Sequence, residues 1–452
     1  MIRRQFYEFL KDWKLRSTRK PLILRGARQV GKTTLIRSFA DEFDQFLYFN
    51  LEIKSDKLLF EKAEGINELT QILFLERQST ISEEIPTLLF IDEIQEFPEA
   101  INQLRYFYET YPYLHVIATG SLLEHALEPG IKIPVGRVEY AVLHPVSFSE
   151  YLRSTGTGEA LRLFTQIPVP DIALQTLFRL FHEYTIIGGM PAIVQSYIEG
   201  EDITQLKPLY DNLLQTYMED VERYAGNTTK QNVIRHIIRT APYYADQRVT
   251  FQNFGGSTYK SREVGEAMRS LEKARIIELM YPTTNTSPPA VPDHHKRPRL
   301  QFLDTGLLNN VLQNQAELLQ LEDLNDATRG AIVQHIVYQE LKSRHYEVSY
   351  ENIFWVREKH TASAEVDLIY PHNNWLIPIE IKSGPSGKLR SLHEFMDRCD
   401  HHFALRLYRG KMQIDKVKTR TGKEYKLLSI PYFLASRIPE YVAWFVGQRF
   451  ND

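Results

Sequence analysis

Residues 22–35 read LILRGARQVGKTTL. Leu22, Ile23 and Leu24 form an apolar run of strand length, and residues 33–43, TTLIRSFADEF, carry their apolar side chains at helical spacing. Between the two stand Gly26 and Gly31, with Lys32 and Thr33 directly after the second glycine. Glycines let a backbone turn until successive N–H groups face one point, and the helix that follows aims the positive end of its dipole there. Such a cradle suits phosphate. The spacing predicts that Gly26, Ala27, Arg28, Gln29, Val30 and Gly31 wrap the phosphates of ATP. Lys32 then reaches the β- and γ-phosphates, and the Thr33 hydroxyl, followed by Thr34, sits on Mg²⁺. A chance match in a strand-to-helix turn is the alternative, and the segments that follow weigh against it.

A phosphate cradle alone performs no chemistry. Residues 87–93, TLLFIDE, supply the rest. Four apolar residues in a row suit a central parallel strand covered on both faces. Asp92 and Glu93 then stand at its C-terminal end, where open α/β sheets place their ligands. Asp92 is suited to hold Mg²⁺ through water, and Glu93 to polarise the attacking water. A third strand, YLHVIATGSLL, ends in Thr119, Gly120 and Ser121. These are placed to sense the γ-phosphate, with Ser121 as the candidate. Arg137 follows in a loop after Gly136. It reads either as a finger on a neighbouring subunit's nucleotide or as a surface salt bridge.

At 452 residues the chain is too long for one core. A net charge of −3 gives no overall pull toward nucleic acid or membrane, so such binding needs a local patch. Cys399 is the only cysteine, which excludes disulfides and cysteine-built metal sites within one chain. The N-terminal MIRRQFYEFLKDWK has no signal-peptide core, and no run of about eighteen apolar residues exists. A cytoplasmic location without a membrane partner is expected.

GARQVGKTTL, LLFIDEIQ, VIATGSLL, GRVEYAVLHPVSFSEYL and YTIIGGMPAIV occur here in one order. In that order the chain resembles, along nearly its whole length, a widespread group of prokaryotic AAA-family (AAA+) ATPases with a C-terminal domain of unknown function. The resemblance implies an AAA+ core with Lys32, Thr33, Asp92 and Glu93 in the roles above. It also implies ATP and Mg²⁺ as cofactors, and sites formed between subunits of a homo-oligomeric ring, a hexamer. It implies little about substrate.

The fold class read from these patterns is α/β, in four parts: a P-loop AAA+ core with a parallel sheet and flanking helices (1–155), a helical lid (156–228), a winged helix (229–325) and a PD-(D/E)XK-like α/β domain (326–452). Gly188, Gly189 and Pro191 read as a plain helix–helix turn in the lid. In the third part Ser261 is placed to cap a helix whose inner face holds Val264, Met268, Leu271 and Ala274. Its other face carries Lys260, Arg262, Arg269, Lys273 and Arg275, and a proline-rich wing follows with Lys296, Arg297 and Arg299 at its tip. A basic helix beside a basic wing suits duplex DNA, with Arg262, Arg269, Lys273 and Arg297 as candidate contacts. Glu263, Glu266 and Glu272 favour an ordinary solvated face instead. The triplets at 293–295 and 400–402, both DHH, lack the geometry and the cysteines of a zinc site.

In the last part, AEVDLIY and WLIPIEIKSG have strand alternation. Glu365 and Asp367 share one face, and so do Glu380 and Lys382. Adjacent strands would gather carboxylates able to hold Mg²⁺ and a lysine able to orient a water. Asp367, Glu380 and Lys382 resemble the PD-(D/E)XK nuclease core. Related domains usually place a glutamate on the first helix, where this chain has Gln334; Glu365 or Glu340 could compensate. After Gly384 there are thirteen Lys or Arg against seven Asp or Glu, which suits a phosphate-tracking surface. The domain is therefore expected to bind nucleic acid more than it cuts it.

The leading expectation is an ATP-driven oligomeric machine that binds and remodels DNA, including branched or four-way junction DNA. Two alternatives stand beside it: a nucleotide-switched regulatory ATPase that binds protein partners, and an ATP-regulated metal-dependent nuclease.

Overall fold

The structure is a computed structural model that describes residues 2–120, 136–223, 225, 227–319, 327–359, 362–383 and 389–448. Five strands form the first sheet: β1 (Leu22–Arg25), β2 (Gln45–Asn50), β3 (Thr87–Asp92), β4 (His115–Thr119) and β5 (Glu139–Val142). All pair in parallel, in the order β2-β3-β4-β1-β5. Strand alternation sorts their side chains onto two covered faces. Leu22, Leu24, Leu88 and Phe90 pack with Phe6, Leu10, Ile36 and Phe39, while Ile23, Leu89 and Ile91 pack with Ile101, Leu104 and Phe107. Burial on both sides explains why Leu22–Leu24 of β1 and Leu88–Ile91 of β3 are unbroken apolar runs. It also brings the ends of β1, β3 and β4 to one edge.

Helices Leu174–Ile187, Pro191–Ile198 and Lys207–Arg223 follow. The turn at Gly188 and Gly189 is more than a connector. A Cβ on Gly188 would lie 2.3 Å from Asp304 Oδ1, and one on Gly189 2.3 Å from the Val146 carbonyl oxygen. Three parts of the chain meet here at backbone contact.

The central segment has helices Thr228–Thr240 and Ser261–Lys273, and a hairpin of β6 (Ile277–Met280) with a later strand. Val264, Met268, Leu271 and Ala274 are buried on the inner face. Ser261 is not the cap. The helix starts at Ser261, and the Glu263 carboxylate reaches back to accept from the Lys260 N–H at 2.8 Å. The expected free wing is also corrected. Its start, β7 (Pro282–Thr283), pairs with a strand of the C-terminal sheet, and its end, β8 (Arg299–Phe302), is buried at every residue. In RLQF, Leu300 and Phe302 need apolar cover on one face, while Arg299 and Gln301 on the other find the partners Tyr338 and Asp246.

The C-terminal part runs helix Ala327–Ser343, β9 (Ile353–Lys359), β10 (Ala362–His372), β11 (Trp375–Ile381), helix Arg390–Met396, β12 (Phe403–Tyr408), β13 (Gln413–Lys418) and β14 (Glu424–Pro431). β9, β10 and β11 form an antiparallel meander, and β12 lies parallel to β11. The sheet order is β13-β14-β12-β11-β10-β9-β7. The last segment returns to the helices after the first sheet, where Arg437 Nη1 donates to the carbonyl of Phe164 at the end of helix Gly158–Phe164 at 2.7 Å. Among the described residues, no helix is long and apolar enough to cross a membrane.

Candidate functional site

The loop after β1 is held open by backbone shape. Gly26 has φ 153°, and a Cβ there would lie 2.5 Å from the Leu143 carbonyl oxygen, so a side chain does not fit. Gln29 (φ 62°) and Gly31 (φ 93°) complete the turn into the helix Lys32–Phe39. Lys32 is buried, and its Nζ donates to the Gly26 and Ala27 carbonyls, both at 3.0 Å. Burial pushes its ammonium down to about 8, against the pull of the Glu93 and Asp92 carboxylates.

That displacement has a consequence for pH. Without nucleotide, Lys32 is expected to lose its proton above about pH 8, and phosphate binding to restore it. ATP affinity is therefore expected to fall by about tenfold per pH unit above that point. Titration calorimetry in buffers of different ionisation enthalpy should show nearly one proton taken up at pH 9 and almost none at pH 7. Heats at pH 9 that do not depend on buffer would contradict this.

Asp92 and Glu93 stand at the end of β3, beside Thr119 at the end of β4. The Thr33 hydroxyl donates to Asp92 Oδ2 at 2.8 Å, Tyr48 donates to the same oxygen at 3.3 Å, and Thr119 donates to Oδ1. A hydroxyl and a carboxylate on one point are hard oxygen donors, which fits Mg²⁺. Glu93 adopts a left-handed conformation (φ 51°), a position that costs a bulky residue on the order of 1–3 kcal/mol and is common at active sites. Burial raises its carboxyl above the usual range, toward a better proton acceptor. Gln95 Nε2 donates to Glu93 Oε2 at 2.5 Å and fixes the carboxylate's direction.

A cleft of about 1260 Å³ opens beside these groups. Lys32, Thr33, Thr34, Arg28, Gln29 and Glu93 line it, together with Ile2, Tyr7, Pro191 and Ala192. Several supports were invisible in the sequence pattern. Arg4 donates to the Val30 carbonyl at 2.8 Å and pairs with Glu150 at 3.1 Å, bracing the loop from behind. Arg28 pairs with Asp220, and Tyr217 donates to the Arg28 carbonyl at 2.9 Å, so the loop is tied to helix Lys207–Arg223. Gln95 ends the stretch LLFIDEIQ, and nothing local marks it.

The other expected residues are distributed as follows. Ser121 lies outside the described residues. Arg137 is exposed and pairs with Glu109 at 3.0 Å. It precedes β5, whose Glu139 is level with Leu22, so it sits at the end of the sheet away from the cleft. Arg262, Arg269, Lys273 and Arg297 are exposed, with Arg262 paired to Glu266 at 3.0 Å. Arg299 and Lys296 are not wing-tip contacts: Lys296 pairs with Glu358 at 2.7 Å, and Arg299 is buried against carboxylates.

Asp367, Glu380, Lys382 and Glu365 do converge, but with company. Asp367 Oδ1 accepts from Gln334 Nε2 at 2.9 Å and Oδ2 from the Ile381 N–H at 2.8 Å. Lys382 Nζ donates to Glu380 Oε1 at 2.5 Å. Burial, then the Asp367 charge, raises the Glu380 carboxyl. Both Asp367 oxygens are thus taken by N–H donors, and Arg299 faces Asp367 and Glu365 together. Among the described residues no group of three or more His, Cys, Asp or Glu is arranged to hold a metal. The metal role expected of Asp367 and Glu380 does not fit this arrangement. Glu340 offers no compensation, because it turns away to accept from Tyr184 and the Phe148 N–H. The paired histidines are also engaged elsewhere, His401 with the Leu376 carbonyl and His402 with that of Glu424.

Residues 18–152 match the family model of an AAA domain. Residues 178–318 and 329–432 match two domains of unknown function, DUF8612 and DUF4143. No curated protein matches the chain in sequence. Among solved structures, the Walker-type ATPase paby2304 of Pyrococcus abyssi is similar at 15% identity and a TM-score of 0.44, over 69% of this chain and 96% of that one. The Thermotoga maritima RuvB Holliday junction branch migration motor is similar at 14% identity and 0.28, over 62% and 90%. The Aeropyrum pernix ORC1 protein in complex with DNA is similar at 13% and 0.26, over 70% and 93%. At these scores the match of residues 18–152 is the one that bears on the site.

Proposed function

We propose that the chain is an ATP-hydrolysing AAA+ machine that assembles as a ring, most simply a hexamer, and binds and remodels DNA. The observation that carries the ATPase reading is the meeting of Thr33, Asp92 and Glu93 at the edge where the phosphate loop ends. Mg²⁺ bound with ATP would be held by Thr33 and Asp92 and would neutralise phosphate charge. Lys32 draws off its two carbonyls to the phosphates, and Glu93, aimed by Gln95, takes the proton of the attacking water. Arg137, too far from its own cleft, serves the neighbouring subunit's nucleotide in trans.

The DNA reading rests on the Ser261–Lys273 helix, which presents Arg262, Arg269 and Lys273 to solvent as a winged-helix recognition helix would, with Arg297 nearby in sequence to the hairpin. The helical segment before it serves as lid. The helix–meander–helix–strand order of the C-terminal part supports a PD-(D/E)XK-like fold used for docking. Junction DNA is the substrate to try first. Replacing Arg262, Arg269 and Lys273 together by alanine is expected to lower affinity for duplex and four-way DNA. The slope of log affinity against log salt should also shrink by about 2–3, one phosphate per side chain. Fluorescence anisotropy across a salt series measures both. Binding unchanged in affinity and slope would transfer the reading to a regulatory ATPase with protein partners, which the Arg262–Glu266 pair on the same face would then favour.

A further inference from the structure

Arg299 enters the C-terminal part from β8 of the central segment. Only about 5% of its surface is exposed. Its Nε donates to Glu365 Oε1 at 2.8 Å, Nη2 faces both Glu365 and Asp367 (the latter at 3.4 Å), and Nη1 lies 3.4 Å from Asp246 Oδ1 and donates to Tyr338. The guanidinium also stacks over the Phe354 ring at 4.7 Å. One cation therefore serves three carboxylates from two parts of the chain. The same point on the sheet is where the alternation of β10 and β11 aims Asp367 beside Glu380.

A second observation comes from Glu380 itself. Only about 6% of its surface is exposed; Lys382 holds Oε1, while Oε2 is buried with no hydrogen-bond partner. A carboxylate oxygen left unpaired in a dry site costs free energy, so its presence asks for a reason. The Asp367–Glu380 pair has the oxygens for a cation but not the access. Asp367 is saturated by the Gln334 amide, the Ile381 N–H and Arg299.

We propose that Arg299 is a resident substitute for a cation, and that it closes the Asp367–Glu380 site to a divalent ion for as long as the central and C-terminal segments stay docked. The docking is itself built around this contact. β7 extends the C-terminal sheet at β9, Lys296 and Arg248 both pair with Glu358, and Lys342 of the C-terminal helix pairs with Glu278 of β6. Arg299 sits inside that ring of charges. Without it, Asp246, Glu365, Asp367 and Glu380 would share Lys382 and the more distant Arg248, which is 3.8 Å from Glu365. A small divalent ion would then be the natural replacement.

The test is Mn²⁺ binding by the full chain without nucleotide, read by electron paramagnetic resonance and by thermal melting. Wild type is expected to show no Mn²⁺ binding that depends on Asp367. Arg299→Ala is expected to gain one bound Mn²⁺ and to melt at a higher temperature with Mn²⁺ than without, and Arg299→Ala/Asp367→Asn should lose both. Arg299→Met/Asp246→Asn carries fewer unpaired charges and serves as the second variant if the first fails to fold; the same gain is expected. Mn²⁺ binding in wild type that vanishes in Asp367→Asn would overturn the proposal. So would folded Arg299 variants that bind no more Mn²⁺ than wild type.

Discussion

Glu93→Gln is expected to bind ATP within a few-fold of wild type while its turnover falls by about 10²–10⁴-fold, the usual contribution of a positioned base. The substitution keeps size and removes only the ability to accept a proton. Lys32, Thr33 and Asp92, to which the proposed mechanism gives the phosphates and the metal, are untouched. The left-handed backbone at Glu93 is the same for either residue, so the loop should keep its shape. Single-turnover hydrolysis and a binding titration on the same sample separate the two effects. Equal loss of binding and turnover would mean that Glu93 supports the loop rather than the chemistry.

Lys32→Ala is expected to fail at the earlier step. Two charge-assisted contacts to phosphate vanish, worth about 3 kcal/mol together, or roughly 100-fold in affinity. The contrast with Glu93→Gln is the informative part. Lys32 is buried with a depressed pKa, so its removal relieves a desolvated charge and leaves two carbonyls to be satisfied by water in the open cleft. Far-ultraviolet circular dichroism should therefore show a folded chain that simply does not hold ATP. Wild-type affinity in Lys32→Ala would place the nucleotide elsewhere.

Much of this site was legible because its logic is local. Gly26 and Gly31 bracket a turn, Lys32 follows at once, and the apolar run 88–91 delivers Asp92 and Glu93 to a strand end. Each inference needs only neighbours in sequence and the alternation of a strand. The supports were not legible, because their partners are far apart in the chain. Arg4 meets Glu150, Arg28 meets Asp220, and Arg299 meets Glu365, and no spacing rule links such positions. Arg299 also shows how a local reading misleads. Within HHKRPR it counts as one more basic surface residue, yet the strand RLQF begins at that position and carries it inside. The wing was expected to be free for the same reason: prolines and lysines read as surface, and β7 pairs with a strand about seventy residues further on.

We propose that nucleotide chemistry at Glu93 and DNA contact at the Ser261–Lys273 helix belong to one machine. Steady-state ATP hydrolysis, followed while four-way and linear duplex DNA are titrated in, tests it most directly. Turnover should rise and saturate with DNA in wild type, and should not rise when Arg262, Arg269 and Lys273 are alanine. A hydrolysis rate that stays the same at every DNA concentration, in protein shown to be assembled and active, would contradict it.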